Sequence, residues 1–261
     1  MLQYLVILLD DTSVSYCHYD NRKSEHRLIS LENLKEGILF AMKENLMLQF
    51  VYPHYELPQA YKDEIETIDH SKIVPVEYRD EADVVVLDDW EQLSVSGCDI
   101  QKTYVLRTGK TGFFKNYTIL NEVLDKVLRL NVVLVDIDTF TESDFDIYKS
   151  VLDELALKLK GMYLEGMAPQ LNLLTDRMML DKMNNCNAGV ENITLAPDGK
   201  FYICPAFYLA DDGYSIGSLV EVLDIKNPKL YKLSYAPLCR NCDAYQCKRC
   251  IWMNWKTTLE V

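Results

Sequence analysis

Six of the chain's eight cysteines fall in its last 76 residues, and the final four, Cys239, Cys242, Cys247 and Cys250, read C-x2-C-x4-C-x2-C. Each C-x2-C pair turns tightly and aims two thiolates at one centre, so two such pairs in succession are a strong metal signal. A zinc site of two cysteines and two histidines is excluded here, because the last histidine in the chain is His70. All-cysteine zinc sites usually join their pairs through a connection of about a dozen residues or more. Compact runs of this kind serve iron–sulfur clusters, where the last cysteine of a run can ligate a different cluster. The residues alone leave both metals open. One reading is iron–sulfur ligation by the run, with Cys186 and Cys204, brought together by the hairpin predicted between them, also in need of partners. The other is Zn2+ at Cys239, Cys242, Cys247 and Cys250, with Cys186 and Cys204 as spectators.

The body of the chain has a different character. The 261 residues are 49% hydrophobic and 26% charged, which fits a folded protein with a sizeable core. The net charge of −13 lies entirely within residues 1–185, since acids and bases balance from Cys186 onward. Such a surface repels a phosphate backbone, so nucleic-acid binding is not expected. The opening segment, Met1-Leu-Gln-Tyr-Leu-Val-Ile-Leu-Leu-Asp-Asp, lacks the basic leader of a signal peptide, and no stretch approaches a membrane span. A reducing cytoplasm is the expected compartment, where structural disulfides are rare.

Hydrophobic patterning predicts an α/β body. Residues 4–9 form a continuous apolar run, read as a buried strand. Ser30 is placed to cap a helix carrying Leu31, Leu34, Ile38 and Met42. Leu46–Val51, Ile73–Val76, Val84–Leu87, Tyr104–Leu106 and Asn131–Val135 read as strands. Helices are expected over residues 58–69, after Asn116, and after Ser143, the last ending near Gly161. This alternation implies a mostly parallel sheet with helices outside, as in a partial (β/α) barrel. From Asn184 turn signals become dense. Ile193–Leu195 and Lys200–Ile203 flank Pro197-Asp198-Gly199 and read as a hairpin in a small module that needs a staple. The expected division is residues 1–180 and 181–261.

The order of these features resembles a SPASM domain, the auxiliary-cluster module appended to radical SAM enzymes that modify ribosomally made peptides. The resemblance rests on Cys186-Asn-Ala-Gly, on Ile193-Thr-Leu-Ala-Pro-Asp-Gly-Lys-Phe-Tyr-Ile-Cys204-Pro-Ala-Phe, on Ile216-Gly-Ser-Leu219 and on the cysteine-rich tail. It covers about the last third of the chain. The resemblance implies that Cys186, Cys204 and Cys250 hold one [4Fe-4S] cluster and that Cys239, Cys242 and Cys247 hold a second. Family members supply one more cysteine upstream and one downstream, and the last two gaps of the run are each one residue shorter here. Either each cluster keeps an open or non-cysteine iron site, or one centre forms.

The preceding part resembles a radical SAM domain that has lost its equipment. The loop after the first strand should read C-x3-C-x2-C, and here Ser13, Cys17 and Asp20 occupy that spacing, with Tyr19 at the usual aromatic position. The Gly-Gly-Glu-Pro stretch expected after the second strand is replaced by Phe50-Val-Tyr-Pro-His-Tyr-Glu56. The whole is similar to the CXXX-repeat peptide maturase group. The resemblance implies a component of a ribosomal-peptide maturation system that binds a Cys-containing precursor peptide or a partner radical SAM enzyme and does not itself cleave S-adenosylmethionine. The rival reading is a zinc-folded adaptor without redox chemistry. Lesser candidates are His18 beside Cys17, the pair His54 and Glu56, the basic loop Arg107 to Lys115 with Gly109 and Gly112, the strand-end acids Asp136 and Asp138, and Trp252 and Trp255 as a cover over a cluster. Cys98 is read as having no special role.

Overall fold

The computed structural model describes residues 2–95, 97–178, 186–210, 214–221, 223–225 and 250–253. The chain divides into two compact units, one of residues 1–15, 19–74 and 184–261, the other of residues 16–18 and 75–183.

The first unit is built on β1 (Tyr4–Leu8), β2 (Met47–Val51), β3 (His70–Pro75) and β7 (Asn192–Leu195), with β8 (Lys200–Tyr202) and β9 (Gly217–Ser218) beyond. β1 is central and pairs in parallel with β2 on one side and β7 on the other, Ile7 lying opposite Phe50 and Leu195. β3 continues the parallel run, while β8 and β9 are antiparallel. The expected hairpin is therefore present, and Gly199 supplies the positive φ of 78° that its turn requires. Helix α1 (Leu31–Glu44) starts where the sequence places it, with the Ser30 hydroxyl accepting from Asn33 N at 3.1 Å. Leu34, Gly37, Ile38 and Ala41 form its buried face. Gly37 lets that face come close to the sheet, since a Cβ there would collide with Leu195 Cδ2. Helix α2 (Gln59–Ile65) follows Pro58, and ends earlier than its periodicity suggests.

The second unit has three parallel strands in the order β4 (Val84–Leu87), β5 (Thr103–Thr108) and β6 (Arg129–Leu134). Its helices are α3 (Trp90–Val95), α4 (Lys110–Asn116), α5 (Leu120–Val123), α6 (Glu142–Leu164) and α7 (Thr175–Met178). Two of them differ from the sequence expectation. α4 starts at Lys110, inside the presumed basic loop, because the Asp136 carboxylate accepts from Lys110 N at 2.9 and 3.1 Å and caps the helix. α6 is capped by Thr141, not Ser143, through a box in which Asp144 Oδ2 accepts from Thr141 N at 2.8 Å. The same helix runs through Gly161 and stops where Gly166 takes a φ of 84°.

The outer side of β6 is closed by the segment 170–172. Leu130 N donates to the Gln170 carbonyl at 2.8 Å and accepts back from Asn172 N at 3.1 Å through its own carbonyl. The Asn172 amide then pairs with both backbone groups of Val132, at 2.8 and 3.0 Å. A side chain thus completes the ladder that a further strand would make.

Candidate functional site at the carboxyl end of β1

Ligand sites in parallel α/β sheets lie beyond the carboxyl ends of the strands. In the first unit this end of β1 carries two adjacent buried acids, Asp10 (0% exposed) and Asp11 (6%). Buried carboxylates must be hydrogen-bonded or they destabilise the fold. Asp10 Oδ1 accepts from Thr12 N at 2.8 Å and from Thr12 Oγ1 at 2.5 Å, and its Oδ2 accepts from the Tyr55 hydroxyl at 2.8 Å. His26 Nδ1 lies 3.6 Å from Asp10 Oδ1, and its ring stands edge-on to Tyr55.

Asp11 takes a bond from the Tyr208 hydroxyl, 197 residues along the chain. Burial raises the Asp11 carboxyl above the usual carboxylate range, and the Tyr208 bond, Lys23 and Arg27 pull it back. The Tyr55 and Tyr208 phenols are both pushed up, first by burial and then by the carboxylate that each one faces. Both therefore remain donors. Lys23 Nζ sits 4.4 Å above the Tyr208 ring, a cation–π contact that adds positive charge beside Asp11.

Ser13, at the first position of the expected cysteine motif, is 1% exposed. Its hydroxyl donates to the Val51 carbonyl at 2.8 Å and accepts from Asp10 N at 3.0 Å. It ties the end of β1 to the end of β2, and both its donor and an acceptor lone pair are used in doing so. Asp20, at the third position, is exposed. Asn21 Nδ2 donates to the Asp11 carbonyl at 2.5 Å and the Ser13 carbonyl at 3.3 Å, which holds the loop on the strand end. Cys17, at the second position, belongs to the other unit, where its carbonyl accepts from Arg107 Nη1 at 2.6 Å.

Behind the hairpin lies a short helix, α8 (Pro205–Leu209), whose five residues are all buried. Cys204 is its N-cap in extended conformation, and Pro205 occupies the first turn, where its missing N–H costs nothing. Phe207 meets the edge of Trp252 with ring centroids 5.2 Å apart, and also packs on Tyr214. Trp252 is buried against this helix two residues after Cys250, so the tail returns to the element that Cys204 starts. Cys186 precedes β7, exposed, with its carbonyl bonded by Asn192 Nδ2. Cys239, Cys242, Cys247 and Trp255 lie outside the described residues. Among the described residues no group of three or more His, Cys, Asp and Glu side chains is gathered to hold a metal ion. Cys186, Cys204 and Cys250 fit a cluster by donor chemistry, as soft thiols suited to iron, without forming a closed triad by themselves.

The lesser candidates resolve into structure. Glu56 pairs with Lys62 at 2.5 Å, which holds its carboxyl below the usual range. Asp136 caps α4 and so occupies the place an incoming phosphate would need at the basic loop. Asp138 is exposed in the short turn after it. Cys98 Sγ reaches the Leu93 carbonyl at 3.9 Å. What sequence reasoning missed is the pairing of Asp10 and Asp11 with Tyr55 and Tyr208. Two acids after a buried strand are visible in the sequence, but their phenol partners lie 45 and 197 residues away.

No protein-family model and no curated protein matches the chain. Solved structures do. Native anSMEcpe, determined with AdoMet and the Cp18Cys peptide bound, matches with a TM-score of 0.55 at 12% identity, over 95% of this chain and 88% of that one. SuiB from Streptococcus suis bound to S-adenosylmethionine matches at a TM-score of 0.47 and 10% identity, over 95% of this chain and 69% of that one. The SuiB complex with precursor peptide SuiA gives the same score and identity over 91% and 66%. The strand–helix alternation read from the sequence, the parallel strands found in both units and the match to anSMEcpe agree: the chain has an α/β fold with a mostly parallel sheet, and it shares that fold with anSMEcpe.

Proposed function

We propose that the chain is a component of a ribosomal-peptide maturation system, with a degenerate radical SAM domain in residues 1–180 and an auxiliary-cluster domain in residues 181–261. Cys186, Cys204 and Cys250 serve one [4Fe-4S] centre, and Cys239, Cys242 and Cys247 a second. A Cys-containing precursor peptide and a partner radical SAM enzyme are its binding partners, in the cytoplasm. The acidic surface of residues 1–185 favours a basic partner face.

One observation carries this reading. In a chain with this fold, the residue at the first position of the initiator-cluster motif is a buried serine whose hydroxyl is committed to the backbone of β1 and β2. One thiol, Cys17, is left in that motif, and one thiolate cannot hold a cluster that needs three. The six cysteines of the tail supply the soft donors that the loop lacks. The likeness to anSMEcpe, which binds the Cp18Cys peptide, supports a peptide as the bound substrate class.

Iron, acid-labile sulfide and zinc analysis of anaerobically purified protein tests the reading. Brown protein absorbing near about 400 nm, with iron and sulfide in equal amounts, is expected. Colourless protein with stoichiometric zinc would replace it with the zinc-folded adaptor.

A further inference from the structure

In the first unit, α8 is fixed from three directions. Tyr208 donates to Asp11 at the end of β1, the Arg22 N–H donates to the Leu209 carbonyl at 3.2 Å, and Phe207 holds Trp252. Tyr202 packs on the Tyr208 ring at a tilt of 56° with centroids 5.2 Å apart and itself donates to Asp198 at 2.8 Å, so the ring has a fixed neighbour on the hairpin. Lys23 covers the ring from the loop. A five-residue helix cannot hold its shape by its own hydrogen bonds. Its orientation is therefore set by these contacts, and the strongest of them is the bond to a buried carboxylate.

Cys204 is the residue from which this helix starts. We infer that Tyr208 is a positioning residue for the Cys204 thiol: its bond to Asp11 fixes α8 against the carboxyl end of β1, and α8 in turn fixes where that thiol points. Phe207, on the same turn, extends the effect to the approach of Cys250 through Trp252. The inference rests on the proposed role of Cys204 as a cluster ligand for its purpose, and on the contacts above for its geometry.

The test separates the two. Metal-free full-length chain is alkylated with iodoacetamide under native conditions, and the rate at each cysteine is read by peptide mass spectrometry. Tyr208→Phe is expected to raise the Cys204 rate about tenfold, as local opening becomes easier, while Cys98 and Cys17 keep their wild-type rates. Asp11→Asn, which keeps an acceptor for the Tyr208 hydroxyl, is expected to behave as wild type. Asp11→Ala removes the acceptor and is expected to match Tyr208→Phe, and it decides the matter if Tyr208→Phe does not fold. Equal acceleration at Cys204, Cys98 and Cys17 would mean a general loss of stability and would overturn the assignment, as would an unchanged Cys204 rate. This outcome stands whether or not the native chain carries iron. If it does, Tyr208→Phe is also expected to alter the cluster's electron paramagnetic resonance spectrum, which a merely structural contact would leave as it is.

Discussion

Ser13→Ala isolates the claim that the loop after β1 has turned a ligand position into a structural one. The substitution removes one hydroxyl and nothing else. In the native chain that hydroxyl donates to the Val51 carbonyl and accepts from Asp10 N, at a position 1% exposed. The two partners fare differently when it goes. The Val51 carbonyl keeps a bond from Leu9 N at 3.2 Å, so it loses one of two donors. The Asp10 N–H loses the acceptor that Ser13 provides, at a residue with no exposure. A buried amide left without an acceptor costs about 1–3 kcal/mol, and the lost bond to Val51 adds about 0.5–1 kcal/mol. The total is about 1.5–4 kcal/mol. For a chain of this size each kcal/mol lowers the melting temperature by about 2–4 °C, so a fall of about 3–16 °C is expected. Thermal unfolding by circular dichroism, paired with a urea titration at constant m-value, measures it. A melting temperature within about 1 °C of the native protein would mean that Ser13 is not so engaged, and the argument that the motif has been converted would fail with it.

Other consequences are equally direct. Gly37→Ala places a methyl group against Leu195 Cδ2 where α1 meets β1 and β7, so it should destabilise by about 1–3 kcal/mol instead of giving the usual gain of alanine in a helix, as urea unfolding would reveal. Asp144 is held down to about 2 by Lys110 first, then by the Thr141 N–H and hydroxyl. Its folded value is below its unfolded one, so its contribution is present above about pH 3.8 and is lost as pH falls through about 2. Asp144→Asn should therefore flatten the decline in melting temperature between about pH 4 and pH 2, and an unchanged acid limb would contradict the cap. Asp11 has the opposite sign: its raised carboxyl favours the fold when protonated, and that contribution is lost as pH rises through its folded value. Asn172→Ala opens the ladder beside Val132; a loss of about 1–2 kcal/mol and concentration-dependent association in light scattering are expected, and strictly monomeric behaviour at native stability would show that the edge is closed without it.

The parts of this fold legible in the sequence are those set by near neighbours. The apolar run ending at Asp10, the Ser30 cap of α1 and the turn at Pro197-Asp198-Gly199 each carry their cause within a few residues, and each is found where expected. The parts that were not legible are set at a distance. α4 begins at Lys110 because Asp136, 26 residues on, caps it. α6 is capped two residues before Ser143 because Thr141 and Asp144 bond reciprocally, a pattern hidden beside a second plausible cap. At the site, Ser13 was visible as a departure from the cysteine motif, but its bond to Val51 spans 38 residues and could not be read from spacing. The tie between Asp11 and Tyr208 spans 197 residues, and no local rule points to it.

The proposed function turns on a loop after β1 that offers one thiol, Cys17, where an initiating cluster needs three. Incubation of the anaerobically reconstituted chain with S-adenosylmethionine and dithionite, followed by quantification of 5′-deoxyadenosine, asks this most directly. Product at the level of a protein-free control is the predicted result. Turnover by the chain alone, lost in Cys17→Ala, would contradict it.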